Sequence, residues 1–245
     1  MTQTPLVQLQ QLTKQYEKGK VALDHLDLTL CRGRIIGLLG PNGSGKTTLI
    51  KLLCGLLQPS FGTIRIDGQA PGVYTKSIIS YLPDQIYFPL WMKTTDLIDF
   101  FADFYTDFSR QKALSMLDTL SIPLQQRLKN MSKGTLEKVQ LVLVMSRHAQ
   151  FYLMDEPIAG VDPAARDFIL NTILTNYNEE GTVLLSTHLI GDIERVLDEV
   201  VFLQNGRLLR HDTVDQIREQ EGMSVDRYFR EQFRTEALVG GNGRW

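Results

Sequence analysis

Ile35-Ile36-Gly37-Leu38-Leu39-Gly40-Pro41-Asn42-Gly43-Ser44-Gly45-Lys46-Thr47-Thr48-Leu49-Ile50-Lys51-Leu52-Leu53 is the stretch whose reading decides the fold. Its middle, Gly40 to Thr47, fits the pattern G-x-x-x-x-G-K-[ST] in full. An apolar run precedes it and a helical pattern opens after it, so the order is buried strand, loop, helix. Glycines let successive backbone N–H groups turn inward around phosphate oxygens, and the following helix aims its positive end at the same anion. Lys46 reaches the outer phosphates. The Thr47 hydroxyl suits Mg²⁺, a hard cation that takes oxygen ligands and keeps waters and phosphate oxygens for the rest of its shell. The stretch implies a nucleoside triphosphate site built from Gly40, Pro41, Asn42, Gly43, Ser44, Gly45, Lys46, Thr47 and Thr48.

Further along, Phe151-Tyr152-Leu153-Met154-Asp155-Glu156-Pro157 puts two carboxylates at the end of a buried strand. Beside a phosphate loop, Asp155 suits Mg²⁺ held through its waters, and Glu156 suits the orientation and activation of the water that attacks a γ-phosphate. Without that loop the pair would read as a solvated turn.

Leu6-Val7-Gln8-Leu9, Leu26-Asp27-Leu28-Thr29-Leu30 and Thr63-Ile64-Arg65-Ile66-Asp67 read as strands with one wet face, suited to an antiparallel sheet. Phe151 to Met154 and Thr182-Val183-Leu184-Leu185 are unbroken apolar runs, the pattern of parallel strands covered on both faces. Between Thr94 and Leu120 two helical stripes follow each other, Leu97, Phe100, Phe101 and Phe104, then Ala113, Leu114 and Leu117. Asp162-Pro163 starts another helix, with Ala165, Phe168, Ile169, Thr172 and Ile173 on one face. Val200 to Leu209 reads as a hairpin turning at Asn205-Gly206. The expected architecture is α/β: a P-loop NTPase fold with a mainly parallel central sheet, an antiparallel β subdomain and a helical insert. The expected ATPase domain spans 1–235 with the helical insert at about 86–148, and 236–245 is expected to be a flexible tail.

The 245 residues are 43% hydrophobic and carry a net charge of −2, which argues for one large folded domain and against a nucleic-acid partner. Cys31 and Cys54, the two cysteines, read as small core residues of a reducing compartment. No stretch approaches the apolar length of a membrane span, and Met1-Thr2-Gln3-Thr4-Pro5 lacks the basic start and apolar run of a secretion signal. The expectation is a cytoplasmic chain whose membrane part, if there is one, belongs to another chain.

With these motifs in place, the chain resembles the nucleotide-binding domain of an ABC transporter along nearly its whole length. The resemblance implies an ATPase that uses ATP and Mg²⁺, and it places Glu156 and His188 in the catalytic roles. Tyr16 matches the aromatic residue that stacks on adenine. Ala159-Gly160-Val161-Asp162 matches the loop that crosses the dimer interface. Thr187-His188 follows the strand Val183-Leu184-Leu185 and matches the switch histidine that contacts the γ-phosphate. The family signature, usually Leu-Ser-Gly-Gly-Gln, reads Met131-Ser132-Lys133-Gly134-Thr135 here. That loop caps the partner subunit's γ-phosphate, so Ser132 and the amides around Gly134 stay usable. Lys133 either adds a charge-assisted contact or points to water. Where the family has a glutamine after Tyr-Leu-Pro, this chain has Asp84 then Gln85, and either one fits as the residue that serves Mg²⁺.

The resemblance also implies partners: a second copy or a different ATPase subunit, and a separate integral membrane permease. Ile86-Tyr87-Phe88-Pro89-Leu90-Trp91 is too apolar for an ordinary solvated loop and lies where the family docks its membrane subunit; packing into the helical insert explains it equally well. The Ser-Lys-Gly signature is similar to that of a subset of bacterial exporters for peptides and amphipathic antimicrobials. The function implied is energising of transport, with export of a peptide, drug or amphipathic compound favoured, from a peripheral position on the inner face of the membrane. A soluble ABC ATPase or a nucleotide sensor is the alternative.

Overall fold

Two sheets of different make divide the chain, and residue patterning explains the difference. A computed structural model describes residues 4–239. β1 (Pro5–Gln15), β2 (Val21–Cys31) and β4 (Phe61–Ile66) form an antiparallel sheet in the order β2-β1-β4. Along β2, Leu26, Leu28 and Leu30 are buried while Asp27 and Thr29 face water, as a period of two requires. β3 (Ile35–Leu39), β5 (Ile79–Leu82), β6 (Phe151–Asp155), β7 (Thr182–Thr187), β8 (Glu199–Gln204) and β9 (Arg207–Thr213) form the second sheet, in the order β5-β6-β7-β3-β8-β9. Its pairs are parallel apart from the β8–β9 hairpin. Every residue of β6 and β7 is buried, because layers cover both faces.

On one face lie α1 (Lys46–Leu53) and the antiparallel sheet, sharing a core that includes Leu12, Leu26, Ile36, Leu49 and Leu184. The short α2 (Val73–Ile78) leads into the edge strand β5. On the other face α6 (Pro163–Asn176), α7 (Ile190–Ile193), α8 (Val214–Glu221) and α9 (Val225–Val239) pack over Leu39, Tyr152, Val183 and Phe202. A third core belongs to α3 (Thr94–Phe104), α4 (Arg110–Thr119) and one side of α5 (Lys133–Met145), with Leu97, Ile98, Phe101, Leu117, Val139 and Leu143 at its centre. From Val139 to Met145 α5 is buried all round, because its opposite side also packs on the central sheet's core. No helix among the described residues is long and apolar enough to cross a membrane.

Three details differ from the sequence expectations. On α3 the buried stripe is Leu97, Ile98 and Phe101, whereas Phe100 (46% exposed) and Phe104 (69% exposed) lie outside it, their rings 4.4 Å apart. Leu114 on α4 is likewise exposed beside buried Ala113 and Leu117. The insert core has one layer of helices on its outer side, so each helix buries a narrow face and leaves its flanking apolar residues to water. Of the tail expected over 236–245, the first four residues continue α9, and the rest lies outside the described residues. Cys54 is buried and Cys31 half-buried, and both are free thiols.

Arg147, 2% exposed, ties the insert to the sheet edge. Its guanidinium donates to both oxygens of Asp107, at 2.9 and 3.0 Å, and to the carbonyls of Ile79 and Ser77, and it lies 3.7 Å from the Tyr105 ring centre. Replacing one partner of such a cluster strands the others. Arg147→Met is expected to destabilise the chain by about 3 kcal/mol, read as a lower urea midpoint, and Arg147→Lys to recover only part of it because a point charge lacks the planar fork.

Candidate active site

Parallel sheets offer binding sites beyond the carboxyl ends of their strands. Here β6, β7 and β3 stand side by side, with Asp155 opposite Ser186 and Leu39 opposite Thr187 in register. Their carboxyl ends bring the Gly40–Thr47 loop, the Asp155-Glu156 pair and Thr187-His188 into one place. The loop lies close to its surroundings. Gly45 adopts φ +109°, and a Cβ there would stand 2.6 Å from the Ala22 carbonyl oxygen. Gly206, at the β8–β9 turn, fits against the same carbonyl and donates its N–H to the Ser44 carbonyl at 3.0 Å, so the turn braces the loop from behind.

Asp155 is fully buried. One carboxylate oxygen accepts hydrogen bonds from Thr47 Oγ1 at 3.1 Å and Ser186 Oγ at 2.8 Å, while Oδ2 has no hydrogen-bond partner among the described residues. Burial pushes its pKa above the ordinary carboxylate value, against those two hydrogen bonds and with help from the nearby charges of Asp84 and Glu156. An orphaned buried carboxylate oxygen beside a threonine hydroxyl is a donor set for a hard cation, one that draws its remaining ligands from phosphate and water. Thr47 and Asp155 therefore fit Mg²⁺.

Glu156 follows at φ +51°, a left-handed conformation held by its N–H, which donates to Ser186 Oγ at 3.0 Å and the Ser186 carbonyl at 3.1 Å. That bend turns the side chain toward the loop. Its Oε1 lies 3.3 Å from Lys46 Nζ and its Oε2 lies 3.0 Å from His188 Nδ1. The Lys46 ammonium, 5% exposed, also donates to the carbonyls of Gly40 at 2.9 Å and Pro41 at 3.3 Å.

Lys46, Thr47, Glu156 and His188 line an open cavity of about 560 Å³, together with Asn42, Gly43, Gly45, Thr48 and Tyr16, and Asp155 lies behind Thr47 without lining it. The Tyr16 hydroxyl is 3.3 Å from Thr48 Oγ1, and the ring is partly exposed at the cavity mouth. Gly40, Pro41 and Ser44 lie in the loop without lining the cavity. Asp84 does line it, whereas Gln85 lines a neighbouring cleft of about 210 Å³ that Lys133, Glu137, Glu156 and Ala159 share. Buried Gln140 of α5 donates to the carbonyls of Pro83 at 3.1 Å and Gln85 at 3.5 Å, which fixes this short loop. Lys20, Val21, Ala22 and Ala159 also line the cavity, and the sequence reading missed the first three. The run Glu17-Lys18-Gly19-Lys20 between two strands was the available signal, a turn downstream of Tyr16.

The signature residues stand apart from this cavity within one chain. Ser132 caps α5 by accepting from the Thr135 N–H at 3.2 Å. Lys133 is 84% exposed and pairs with Glu137 one turn on at 3.6 Å, and Gly134 has open space around it. In the run 86–91, Phe88 packs into the insert core while Tyr87, Leu90 and Trp91 stay exposed.

Comparison with known proteins agrees with this geometry. The family described as ABC transporter matches residues 23–159. The SkfA peptide export ATP-binding protein SkfE of Bacillus subtilis (strain 168) is 30% identical over 88% of this chain and 92% of its own length. The ABC transporter ATP-binding protein YtrB of the same organism is 32% identical over 88% of this chain and 74% of its own length. A solved ATP-binding subunit of an ABC transporter superposes with a TM-score of 0.81 at 28% identity, covering 92% of this chain and 98% of that one. A dimeric cassette solved after hydrolysis, bound to ADP and Pi, shares the fold with a TM-score of 0.73 at 21% identity over 84% of this chain and 98% of that one. The chain belongs to the ABC transporter family, as an ATP-binding and ATP-hydrolysing cassette.

Because burial raises the Asp155 pKa, the folded chain binds that proton more tightly than the unfolded chain does. Stability contributed by this group is therefore lost as pH rises from the ordinary carboxylate range through the folded value. Asp155→Asn is expected to flatten that part of the stability–pH profile without nucleotide, and to abolish the extra rise in Tm that ATP gives with Mg²⁺ over ATP with EDTA. Thermal melts across pH check both.

Proposed function

We propose that this chain energises export of a peptide, drug or other amphipathic compound by binding and hydrolysing ATP beneath separate membrane subunits. One observation carries the ATPase part: Lys46, Glu156 and His188 contact one another in series, and Thr47, next to Lys46 in the loop, donates to Asp155, next to Glu156. In this reading the loop amides and Lys46 bind the outer phosphates, Tyr16 packs against the base, and Thr47 and Asp155 hold Mg²⁺, with Asp84 rather than Gln85 in reach of it. Held by Thr47 and Asp155, Mg²⁺ would supply positive charge against the phosphate oxygens. Glu156 accepts the proton of the attacking water, and His188 orients the terminal phosphate. Ser132, Lys133 and Gly134 serve a second copy or a related subunit across a head-to-tail dimer, which accounts for their distance from the cavity of their own chain. Export of a peptide is supported by the likeness to SkfE. A permease fits the exposed Tyr87, Leu90 and Trp91, and it would hold the chain at the inner face of the membrane.

Glu156→Gln keeps the shape and removes the base, so turnover is expected to fall by about 10²–10⁴ while ATP still binds. Phosphate release assays together with nucleotide binding check this. A variant that keeps its turnover overturns the assignment, and co-purification with RNA rather than an integral membrane protein overturns the transport reading.

Lys133 gives an independent test. If its ammonium meets the partner's γ-phosphate, Lys133→Gly should weaken ATP-driven dimerisation and reduce its salt dependence, and Lys133→Glu should weaken it further. Sedimentation of the three forms at low and high salt measures the difference. Identical behaviour assigns Lys133 to water and to its pair with Glu137.

A further inference from the structure

Lys46, Glu156 and His188 are held by one another and by the loop. The Lys46 ammonium donates to the Gly40 carbonyl at 2.9 Å and the Pro41 carbonyl at 3.3 Å, and it forms an ion pair with Glu156 Oε1 at 3.3 Å. The other carboxylate oxygen of Glu156 occupies His188 Nδ1 at 3.0 Å. Glu156 is 16% exposed by side chain and is held in its left-handed bend by Ser186, so its reach to both groups is built into the backbone. The two groups it bridges are the ones that the proposed reading assigns to the outer phosphates. A carboxylate and a terminal phosphate offer the same thing to such donors, an anionic oxygen at hydrogen-bond distance.

We propose that Glu156 is an internal stand-in for the terminal phosphate, which must be displaced from Lys46 and His188 before ATP is fully bound, and which thereby sets how far the single chain prefers ATP over ADP. The inference rests on the reading of this cavity as the ATP site. A diphosphate displaces the carboxylate from Lys46 and leaves its contact with His188, whereas a triphosphate breaks both contacts. The cost of that exchange is therefore larger for ATP and lowers its affinity relative to ADP. The same swing frees Glu156 to face the attacking water, so the residue becomes available for catalysis only when a third phosphate has taken its place.

The test uses the full chain at concentrations where it stays monomeric, with the imido analogue of ATP and with ADP, both with Mg²⁺, by calorimetry. Glu156→Gln is expected to raise the analogue-to-ADP affinity ratio about ten-fold over the native chain, the scale of one charge-assisted hydrogen bond, with ADP affinity changing less than that of the analogue. Glu156→Asp keeps the charge but is too short to bridge Lys46 and His188, and it is expected to tighten analogue binding as well. An analogue-to-ADP affinity ratio unchanged in Glu156→Gln overturns the inference while leaving the site reading intact. Tightening in Glu156→Gln but not in Glu156→Asp also overturns it, since plain charge repulsion then explains the effect. Failure of the native chain to bind either nucleotide overturns the site reading and this inference with it.

Discussion

A single oxygen of Asp155 receives hydrogen bonds from two directions, from Thr47 at the start of α1 and from Ser186 at the end of β7. Three elements are pinned to one buried carboxylate. The fold accepts the desolvation of that charge because the parallel sheet delivers the end of β6 beside the end of β7 and under the first turn of α1. The neighbouring features follow from the same placement. Glu156, one residue further, can turn toward Lys46 only because the Ser186 backbone and hydroxyl hold its N–H, and His188 arrives two residues after Ser186, just past the end of that strand.

Most of this was legible in the sequence, and for definite reasons. Strands β6 and β7 have unbroken apolar runs because both faces are covered, so their ends could be located by pattern, while the phosphate loop gave the carboxylates their meaning and the family resemblance gave His188 its role. The phosphate loop was readable because glycines, Lys46 and Thr47 are demanded by chemistry that tolerates few substitutes. Contacts between distant segments were not readable. Ala22 and Gly206 shape the loop through a carbonyl and a turn far away in the chain, and neither residue type signals that job. The α3 stripe was misjudged for a related reason: periodicity shows which residues share a side, but not how thick the layer above them is, and Phe100 and Phe104 fall just beyond its edge. The choice between Asp84 and Gln85 depends on the direction of a short loop held by Gln140, information that resides in a helix more than fifty residues downstream.

The cavity and the exposed run 86–91 are linked by the chain itself. The segment from Asp84 to Trp91 starts at the cavity wall, crosses the rim of the neighbouring cleft and ends among exposed aromatics beside the helical insert. Phe88 anchors its middle in the insert core. The exposed aromatic end therefore belongs to a short segment whose other end lines the cavity with Lys46 and Glu156.

The burial of α5 has a mechanical meaning. Its second half is gripped on one side by the insert core and on the other by the central sheet, while its first turn, capped by Ser132, projects from that grip. Gln140, at the edge of the gripped half, holds the loop of Asp84, and Ser132 lies about 12 Å away along the helix axis at 1.5 Å per residue. The exposed signature residues therefore stand at one end of a rod whose other half is fixed by aliphatic packing on two sides, so their position in space is set by two cores and not by the spelling of the loop itself.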